Sequence, residues 1–259
     1  MARVTFIGLG LDSEKGLSLE GLQEARRASS VFAEFYTNPM PNLNLQELES
    51  LLGKKVTILS REQLEDENGR EIILAAEKKD SVLLVPGDPL VSTTHVSVRL
   101  SLAERGINSR IIHAASIVTA VCGATGLQNH KFGKSTTLPN STLVPSSIID
   151  TVLNNKDRGL HTLLLLDTDR SKGSPLTIGN ALLLLGTVLS ELDDWLVVGA
   201  ARIGSPDEKV RTARGRELKA VAFGDTPHTI VIPSRLHFME AEALKVFSGA
   251  SDTDLEDYR

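Results

Sequence analysis

Short aliphatic runs alternate with longer amphipathic segments along the first half of the chain. The runs are four or five residues long and rich in β-branched and aliphatic side chains, as buried strands are. Between them, as in 17–25 and 45–52, apolar residues recur at helical spacing. This alternation predicts an α/β fold with a largely parallel sheet. The predicted strands are 4–7, 31–35, 55–59, 81–85 and 110–113.

The second half of the chain shows the same alternation with different spacing. Segments 161–167, 195–201 and 228–233 are predicted as strands. A helix is predicted over 178–192, and a last helix over 237–247. The second half is therefore also predicted to be α/β.

A change in composition separates the two halves. Residues 126–147 are rich in Gly, Asn, Pro and hydroxyl side chains, which places a domain boundary between 115 and 145. We predict an N-terminal α/β domain over 1–118 and a C-terminal α/β domain over 119–259. The end of the chain from Ser251 is acidic and aperiodic, so we expect it to fray.

The composition is that of an ordinary soluble protein. Of 259 residues, 41% are hydrophobic and 24% are charged, and no apolar stretch reaches the roughly 18 residues of a membrane span. The first ten residues lack the features of a signal peptide, which favours a cytoplasmic protein. A net charge of -5 disfavours a nucleic-acid binder that works by charge alone, although a local basic patch stays open. The single cysteine, Cys122, excludes a disulfide within the chain and a multi-thiolate zinc site, and we interpret it as a buried structural thiol.

Ligands of open α/β sheets bind beyond the carboxyl ends of the strands, so the loops there are candidate sites. The first loop, "GLGLD" at 8–12, has two glycines that allow close backbone approach to a ligand, but a plain tight turn is as consistent. A full dinucleotide fingerprint would need glycine where Ser13 stands. In "FGKST" at 132–136, Gln128 stands where a phosphate-binding loop would need its first glycine, which disfavours nucleotide triphosphate binding.

The turn "PGDPL" at 86–90 is the strongest local signal. Pro89 biases Asp88 away from the helical region, and Gly87 gives the chain freedom to turn, so the carboxylate is presented at a strand end. The alternative interpretation is that Asp88 caps the following helix. In the next such loop, "HAASI" at 113–117, Ser116 could be a helix cap, a ligand contact or both.

The second half has polar candidates at its strand ends. Asp167 and Asp169 form a carboxylate pair suited to a metal or to acid-base chemistry, although solvated aspartates are the more common outcome. Arg202 follows an apolar strand. His161 and His228 each open a strand, where a hydrogen-bonded structural histidine is the more common role.

Seven segments along nearly the whole chain carry a resemblance to one family. They are "FIGLGL" at 6–11, "VFAEFYT" at 31–37, "SRE" at 60–62, "PGDPLVSTTH" at 86–95, "KFGKS" at 131–135, "GLHTLLLLD" at 159–167 and the stretch 223–244. In this order they resemble the diphthine synthase family, methyltransferases of the tetrapyrrole methylase-like superfamily.

The related porphyrin-precursor methylases share the first glycine loop and the G-D-P turn, but they differ from this chain at "AEFYT", "VSTTH" and "PHTIVIP". This chain departs from the family's pattern at two positions. The usual proline of the "HAPSI" loop is Ala115 here, and the glycine expected after "IVIP" is Ser234.

The resemblance implies a tetrapyrrole methylase-like fold of two α/β domains with a cofactor cleft between them. It implies S-adenosyl-L-methionine as methyl donor and S-adenosyl-L-homocysteine as product, a homodimer, and translation elongation factor 2 as protein substrate. The methyl acceptor in that family is the amino group of a 3-amino-3-carboxypropyl-histidine, which is methylated repeatedly. Two alternatives stay open: a methyltransferase of the same fold acting on a tetrapyrrole precursor or rRNA, and a non-catalytic binding module.

Cofactor contacts are carried over by motif position. No metal is implied, and no catalytic residue is assigned. The implied cofactor contacts are Leu11, Asp88, Val91, Ser116, Ile117, Leu166, Ile203 and His228.

Overall fold

The computed structural model of the protein describes residues 2–168 and 174–258. The chain divides into two compact units, Met1–Ile117 and Val118–Arg259. Each unit has its own five-stranded sheet. Asp169, one member of the predicted carboxylate pair, lies outside the described residues.

The first unit is built on a sheet in which every strand pair is parallel, as the sequence predicts. The strand order is β3-β2-β4-β1-β5. All five predicted strands of this half are confirmed: β4 has the predicted bounds, and the other four have shifted ends. Their bounds are β1 Arg3–Gly8, β2 Ser30–Ala33, β3 Thr57–Ile58, β4 Ser81–Val85 and β5 Asn108–Ile112.

Helices cover both faces of this sheet. Neighbouring residues of a strand point to opposite faces, so each central strand contributes side chains to two core clusters. Ile7 packs in one core cluster with residues of α1 and α2, and Phe6 packs in another with residues of α4 and α5. The central strands are therefore apolar on both sides. The helices of this unit are α1 Leu19–Arg27, α2 Leu45–Leu52, α3 Arg61–Glu65, α4 Arg70–Ala76 and α5 Val96–Glu104. The next helix, α6 Ile117–Thr125, begins at the last residue of the first unit and continues into the second.

The order of the strands sets the position of a ligand site in the first unit. The chain leaves β1 towards β2 on one side, and it leaves β4 towards β5 on the other side. β1 and β4 are neighbours and pair in parallel over Val4–Gly8 and Ser81–Val85. Ligands of open α/β sheets bind beyond the carboxyl ends of the strands, so the loops after β1 and β4 are candidate positions.

The second unit has a mixed sheet in the order β6-β7-β10-β8-β9. Only β6 and β7 are parallel, whereas β10 is antiparallel to β7 and β8, and β9 is antiparallel to β8. The second sheet is therefore mixed, and the short 202–208 loop turns the chain back so that β9 runs antiparallel beside β8. The strands are β6 Thr136–Leu138, β7 Thr162–Leu166, β8 Leu196–Ala201, β9 Lys209–Arg214 and β10 His228–Ile232.

The core of the second unit is formed by aliphatic residues of its strands and by residues of α7 and α8. The predicted helix over 178–192 ends early, at Gly186, and a 3-10 turn follows at Ser190–Asp193. Cys122 in α6 is half-buried rather than buried, and burial raises the pKa of its thiol. The helices are α7 Ser146–Asp157, α8 Ile178–Gly186, α9 Gly215–Leu218, α10 Phe238–Ser248 and α11 Asp252–Leu255.

The C-terminal segment does not fray up to Tyr258, contrary to expectation. Ser251 caps α11 with a reciprocal capping box, and a 3-10 turn follows. The Tyr258 hydroxyl accepts the Leu196 backbone N–H at 2.8 Å, and its carbonyl accepts the Leu236 N–H at 2.7 Å. The buried Tyr258 side chain thus ties the segment to the start of β8.

No helix in the described parts of the chain is long and apolar enough to cross a membrane.

The buried carboxylate of Glu240 joins several segments of the second unit through hydrogen bonds. Glu240 is fully buried and accepts hydrogen bonds from the backbone N–H of Gln128 at 2.9 Å and of His237 at 2.7 Å. It also accepts from the Lys131 ammonium and from His161 Nε2 at 3.0 Å. His161 Nδ1 accepts the Ser234 N–H, so this histidine has the structural role expected for it. Burial alone would raise the pKa of Glu240, but these donors outweigh it and lower the pKa to about 2.

We predict that Glu240→Gln destabilises the second unit at neutral pH. Because the folded pKa is below the ordinary 4.5, the ionised carboxylate stabilises the fold above pH 4.5, and that contribution is lost as the pH falls towards 2. The shift corresponds to about 3 kcal/mol at neutral pH. Urea unfolding followed by the fluorescence of Trp195, the single tryptophan, reports on this unit.

Glu242→Gln is the matched control, because Glu242 lies on the same helix and is exposed. The difference between Glu240→Gln and the parent protein should shrink between pH 4.5 and pH 2. A difference that stays constant over this range would contradict the role of the ionised carboxylate.

Candidate functional site

Three loops come together at the carboxyl edge of the first sheet. The loops after β1 and β4 pair through their backbones, with Gly87 N donating to Gly10 O at 2.7 Å and Gly10 N to Gly87 O at 3.3 Å. Both glycines have left-handed φ values, 78° and 69°. A Cβ on Gly8 would lie 2.5 Å from Gly87 O and 2.6 Å from the Cβ of Ala114, in the loop after β5. Glycine at position 8 thus allows the three strand ends to approach one another.

Asp88 is a buried acidic group at this edge. Its side chain is 9% exposed, and Oδ2 accepts from His113 Nδ1 at 2.8 Å and from Ala114 N at 3.3 Å. Asp88 does not cap α5, whose N-cap is His95 and has no side-chain cap bond. The carboxylate instead links the loop after β4 to the loop after β5.

The second oxygen of Asp88 is buried and has no hydrogen-bond partner within residues 2–168 and 174–258. A buried carboxylate oxygen without a donor is costly, on the order of 1–3 kcal/mol or more for a charged group. Next to it, the direction in which Gly87 would carry a side chain is open. This arrangement suits a ligand that supplies an N–H or O–H donor.

The other predicted contacts of the first unit lie in the same three loops. Leu11 follows Gly10 and is partly buried, and Val91 follows the Asp88 turn and is 39% exposed. Ser116 is buried immediately before α6, and Ile117 is the first residue of that helix. The structure therefore brings all five first-unit residues to one sheet edge, where cofactor contact stays a prediction.

The predicted contacts of the second unit lie at one edge of the second sheet. His228 pairs with Ala201 at the end of β8, two residues before Ile203, and the neighbouring strand β7 ends at Leu166. The Leu166 side chain belongs to the core, and Ile203 is 7% exposed. A ligand at this edge would therefore meet chiefly backbone groups of these residues.

Both ring nitrogens of His228 are used inside the second unit. Nδ1 accepts the Ile178 N–H at 3.2 Å, so the proton is on Nε2, which donates to Asp225 O at 3.0 Å. Burial lowers the pKa of His228, and the positive charge of Arg202 adds to this effect. The side chain is thus a neutral structural imidazole, in agreement with the more common role, and its predicted cofactor contact would not use a ring nitrogen.

Arg202 and Asp167 have internal partners as well. Arg202 has a left-handed φ of 51°, and its guanidinium donates to the carbonyls of Phe223 and Asp207, each at 2.8 Å, and of Asp225. Asp167 Oδ2 accepts the Asn140 N–H at 3.3 Å. Among the described residues, no group of three or more His, Cys, Asp or Glu side chains could hold a metal ion.

The sequence did not identify Glu34 and His95, two buried residues close to the turn that carries Asp88. Glu34 follows β2, is fully buried, and accepts from the backbone N–H groups of Tyr36 and Thr37 and from the Thr37 hydroxyl. Burial raises the pKa of Glu34 to about 7 despite these bonds. His95 Nε2 lies 3.9 Å from Glu34, and His95 Nδ1 lies 3.2 Å from the Pro89 carbonyl, which it supports. Glu34 belongs to the segment "AEFYT" and His95 to the segment "VSTTH", but a single sequence does not show that these two segments lie next to each other.

Comparison with known proteins identifies the family. The family described as Tetrapyrrole (Corrin/Porphyrin) Methylases matches residues 3–219. The chain belongs to the tetrapyrrole methylase family. Its relatives include proteins named diphthine synthase from Methanocella arvoryzae, 44% identical over 95% of this chain and 98% of the relative, and from Archaeoglobus fulgidus, 42% identical over 95% and 96%. A crystal structure of diphthine synthase is 40% identical, with a TM-score of 0.92 over 99% of this chain and 100% of that one.

Membership of the tetrapyrrole methylase family confirms the resemblance and the fold class predicted from the sequence. The chain is a methyltransferase with a methyl donor of the S-adenosylmethionine type. In this methylase, the carboxyl edge of the first sheet offers a buried acceptor, Asp88 Oδ1, that has no donor in the part of the chain that the structure describes. That edge is the candidate active site of the first unit.

We predict that Gly8→Ala destabilises the methylase, because the added methyl would overlap with Gly87 O and with Ala114. The expected loss in the free energy of unfolding is about 1–3 kcal/mol, typical of overpacking. Differential scanning calorimetry would show the melting temperature decrease.

Gly123→Ala is the matched control, since Gly123 lies in α6 and a Cβ there would meet nothing within 4 Å. Alanine is favoured over glycine in a helix, so this variant should be neutral or slightly stabilised. Equal melting temperatures for Gly8→Ala and the parent protein would argue against the close approach of the three loops.

Proposed function

We propose that the protein transfers methyl groups from S-adenosyl-L-methionine to the amino group of the 3-amino-3-carboxypropyl-histidine of translation elongation factor 2. The product would be diphthine, an intermediate of diphthamide biosynthesis, with S-adenosyl-L-homocysteine released. The names of the similar proteins support this substrate. The diphthine synthase motifs that run along nearly the whole chain support it as well.

The buried Oδ1 of Asp88, which has no hydrogen-bond partner among the described residues, is the observation that carries the proposal. It lies at the carboxyl edge of the first sheet, in the loop after β4 and beside the loop after β1. A donor with hydroxyl and ammonium groups provides the hydrogen that this oxygen lacks. The residues present therefore fit a cofactor of the S-adenosylmethionine type.

Eight residues are proposed to contact the cofactor. When bound, the cofactor supplies a sulfonium methyl group that is already activated for displacement by a nucleophile. Asp88 would accept a hydrogen bond through Oδ1, and His228 would contribute through its backbone, because its ring nitrogens are engaged. The contacts are Leu11, Asp88, Val91, Ser116 and Ile117 in the first unit, and Leu166, Ile203 and His228 in the second.

The chain's contribution to the rate would be mainly positional. Holding two reactants in an aligned geometry is worth up to roughly 7–11 kcal/mol of the barrier. The backbone pairing of Gly10 with Gly87 and the Asp88 link to His113 fix three loops relative to one another. A fixed edge of this kind suits a reaction in which positioning dominates.

Elongation factor 2 is the proposed protein partner, and the cytoplasm the proposed location. We also propose a homodimer, which would cover apolar side chains that are exposed on α10. Phe238, Val246 and Phe247 of that helix are each more than 60% exposed. Light scattering after size exclusion would give the mass of the particle.

Asp88→Ala is expected to weaken the binding of S-adenosyl-L-methionine. Loss of a hydrogen bond to a charged group corresponds to about 1.5–3 kcal/mol, or roughly 10- to 150-fold in Kd. Isothermal titration calorimetry measures the change. Asp80→Ala is the matched control, because Asp80 precedes the opposite end of β4 and is exposed. Unchanged affinity in Asp88→Ala would exclude the proposed contact.

The substrate is tested by incubating the protein with labelled S-adenosyl-L-methionine and elongation factor 2 that carries the 3-amino-3-carboxypropyl-histidine. Mass spectrometry of the peptide should show gains in steps of one methyl group. Elongation factor 2 with the unmodified histidine should gain none. Methylation of a tetrapyrrole precursor or of rRNA instead would favour the alternative substrates within the fold, and factor binding without any methyl transfer would favour a binding module.

A further inference from the structure

We infer that His113 accepts the proton released by the acceptor amine in each methyl transfer, and that Asp88 orients its ring. The inference rests on the proposed function. His113 is the first residue after β5, at the same sheet edge as Asp88. It belongs to the "HAASI" loop, in which the sequence drew attention to Ser116 and Ile117 but assigned no role to the histidine.

The hydrogen bond to Asp88 fixes the tautomer of the imidazole. His113 Nδ1 lies 2.8 Å from Asp88 Oδ2, and a carboxylate oxygen can only accept. Nδ1 therefore carries the hydrogen, and Nε2 of the neutral ring keeps its lone pair. An aspartate that holds a histidine in this tautomer is a recurring arrangement for proton acceptors.

The two oxygens of Asp88 then have separate tasks. Oδ2 accepts from His113 and from the Ala114 N–H, whereas Oδ1 is buried without a partner among the described residues. Oδ1 is available to the cofactor while Oδ2 holds the ring. One carboxylate would thereby set the position of the proton acceptor relative to the methyl donor.

Exposure of His113 suits a group that must discharge its proton. Its side chain is 73% exposed, whereas that of Asp88 is 9% exposed. Among the described residues, Asp88 is the acidic residue whose carboxylate lies within 4.0 Å of a ring nitrogen of His113. A proton taken up at Nε2 can therefore pass to bulk water before the next transfer.

The proton balance requires one acceptor per transfer. A neutral amine nitrogen uses its lone pair to form the N–CH₃ bond while the S–CH₃ bond breaks and its electrons stay on sulfur. Because the resting acceptor is an ammonium group, one proton leaves nitrogen for each methyl gained. Nε2 of His113 takes that proton before attack, and repeated methylation repeats the step until no N–H remains.

The tautomer can be tested without cofactor or substrate. Long-range ¹H–¹⁵N correlation spectra of the free protein, with the imidazoles neutral, distinguish Nδ1–H from Nε2–H rings. The chain has six histidines, so the signals of His113 are assigned by their disappearance in His113→Asn. We expect an Nδ1–H ring in the parent protein and a mixture in Asp88→Ala. An Nε2–H ring in the parent protein would overturn the inference.

The proton transfer is tested with two substitutions. In His113→Asn, the side-chain amide can keep the bond to Asp88 but cannot accept the proton. We expect kcat to fall about 100-fold, the lower end for general acid-base catalysis, while the Kd of S-adenosyl-L-methionine changes less than about threefold. His113→Ala should lose as much activity and regain it in proportion to added imidazole.

His130→Asn is the matched control, because His130 is an exposed histidine in the second unit. Its kcat should equal that of the parent protein. A normal kcat in His113→Asn, or a slow His113→Ala that imidazole does not restore although the cofactor still binds, would overturn the role of His113. If the parent protein itself fails to methylate the modified factor, the proposed function is wrong and the inference falls with it.

Discussion

The close approach of three strand ends is the constraint on which the first unit depends. Gly8 has no room for a methyl group between the Gly87 carbonyl and Ala114, and Gly10 and Gly87 exchange backbone hydrogen bonds in left-handed conformations. Each of these contacts joins residues that are far apart in the chain. Because all five strands are parallel, the loops after β1, β4 and β5 emerge on the same side of the sheet, and the contacts fix them as one edge.

Asp88 gives that edge its chemistry. The sequence offered two interpretations of the "PGDPL" turn, a helix cap and a ligand contact. The structure excludes the cap and assigns one oxygen to His113 and Ala114, which leaves the other oxygen buried and unpaired among the described residues. His95 contacts the Pro89 carbonyl of this turn, and it also lies close to the buried Glu34 in the loop after β2. The turn is therefore supported from the loop after β2 as well. A local motif therefore works through residues that only the fold brings beside it.

Local patterns predicted the parts of the fold that local forces determine. The strand Ser81–Val85 is aliphatic from its second residue onward because both of its faces are buried, and its ends follow from the sequence. β9 escaped prediction because "KVRTAR" mixes charged and apolar residues at a sheet edge, and β6 because it is only three residues long. The position of Tyr258 depends on its hydrogen bond with the Leu196 N–H, 62 residues away. Sequence periodicity does not reveal a contact over that separation. The Asp88 to His113 bond likewise needed the parallel pairing of β1 with β4 and β5.

Arg202 has a mechanical consequence for the second unit. One guanidinium binds the carbonyls of Asp207, in the loop after β8, and of Phe223 and Asp225, in the segment before β10. The Arg202 backbone N–H also donates to the Pro227 carbonyl at 2.9 Å. These two loops are thereby coupled and should move as one body, with a common relaxation rate. His228, which begins β10 and donates to Asp225, would follow the same motion.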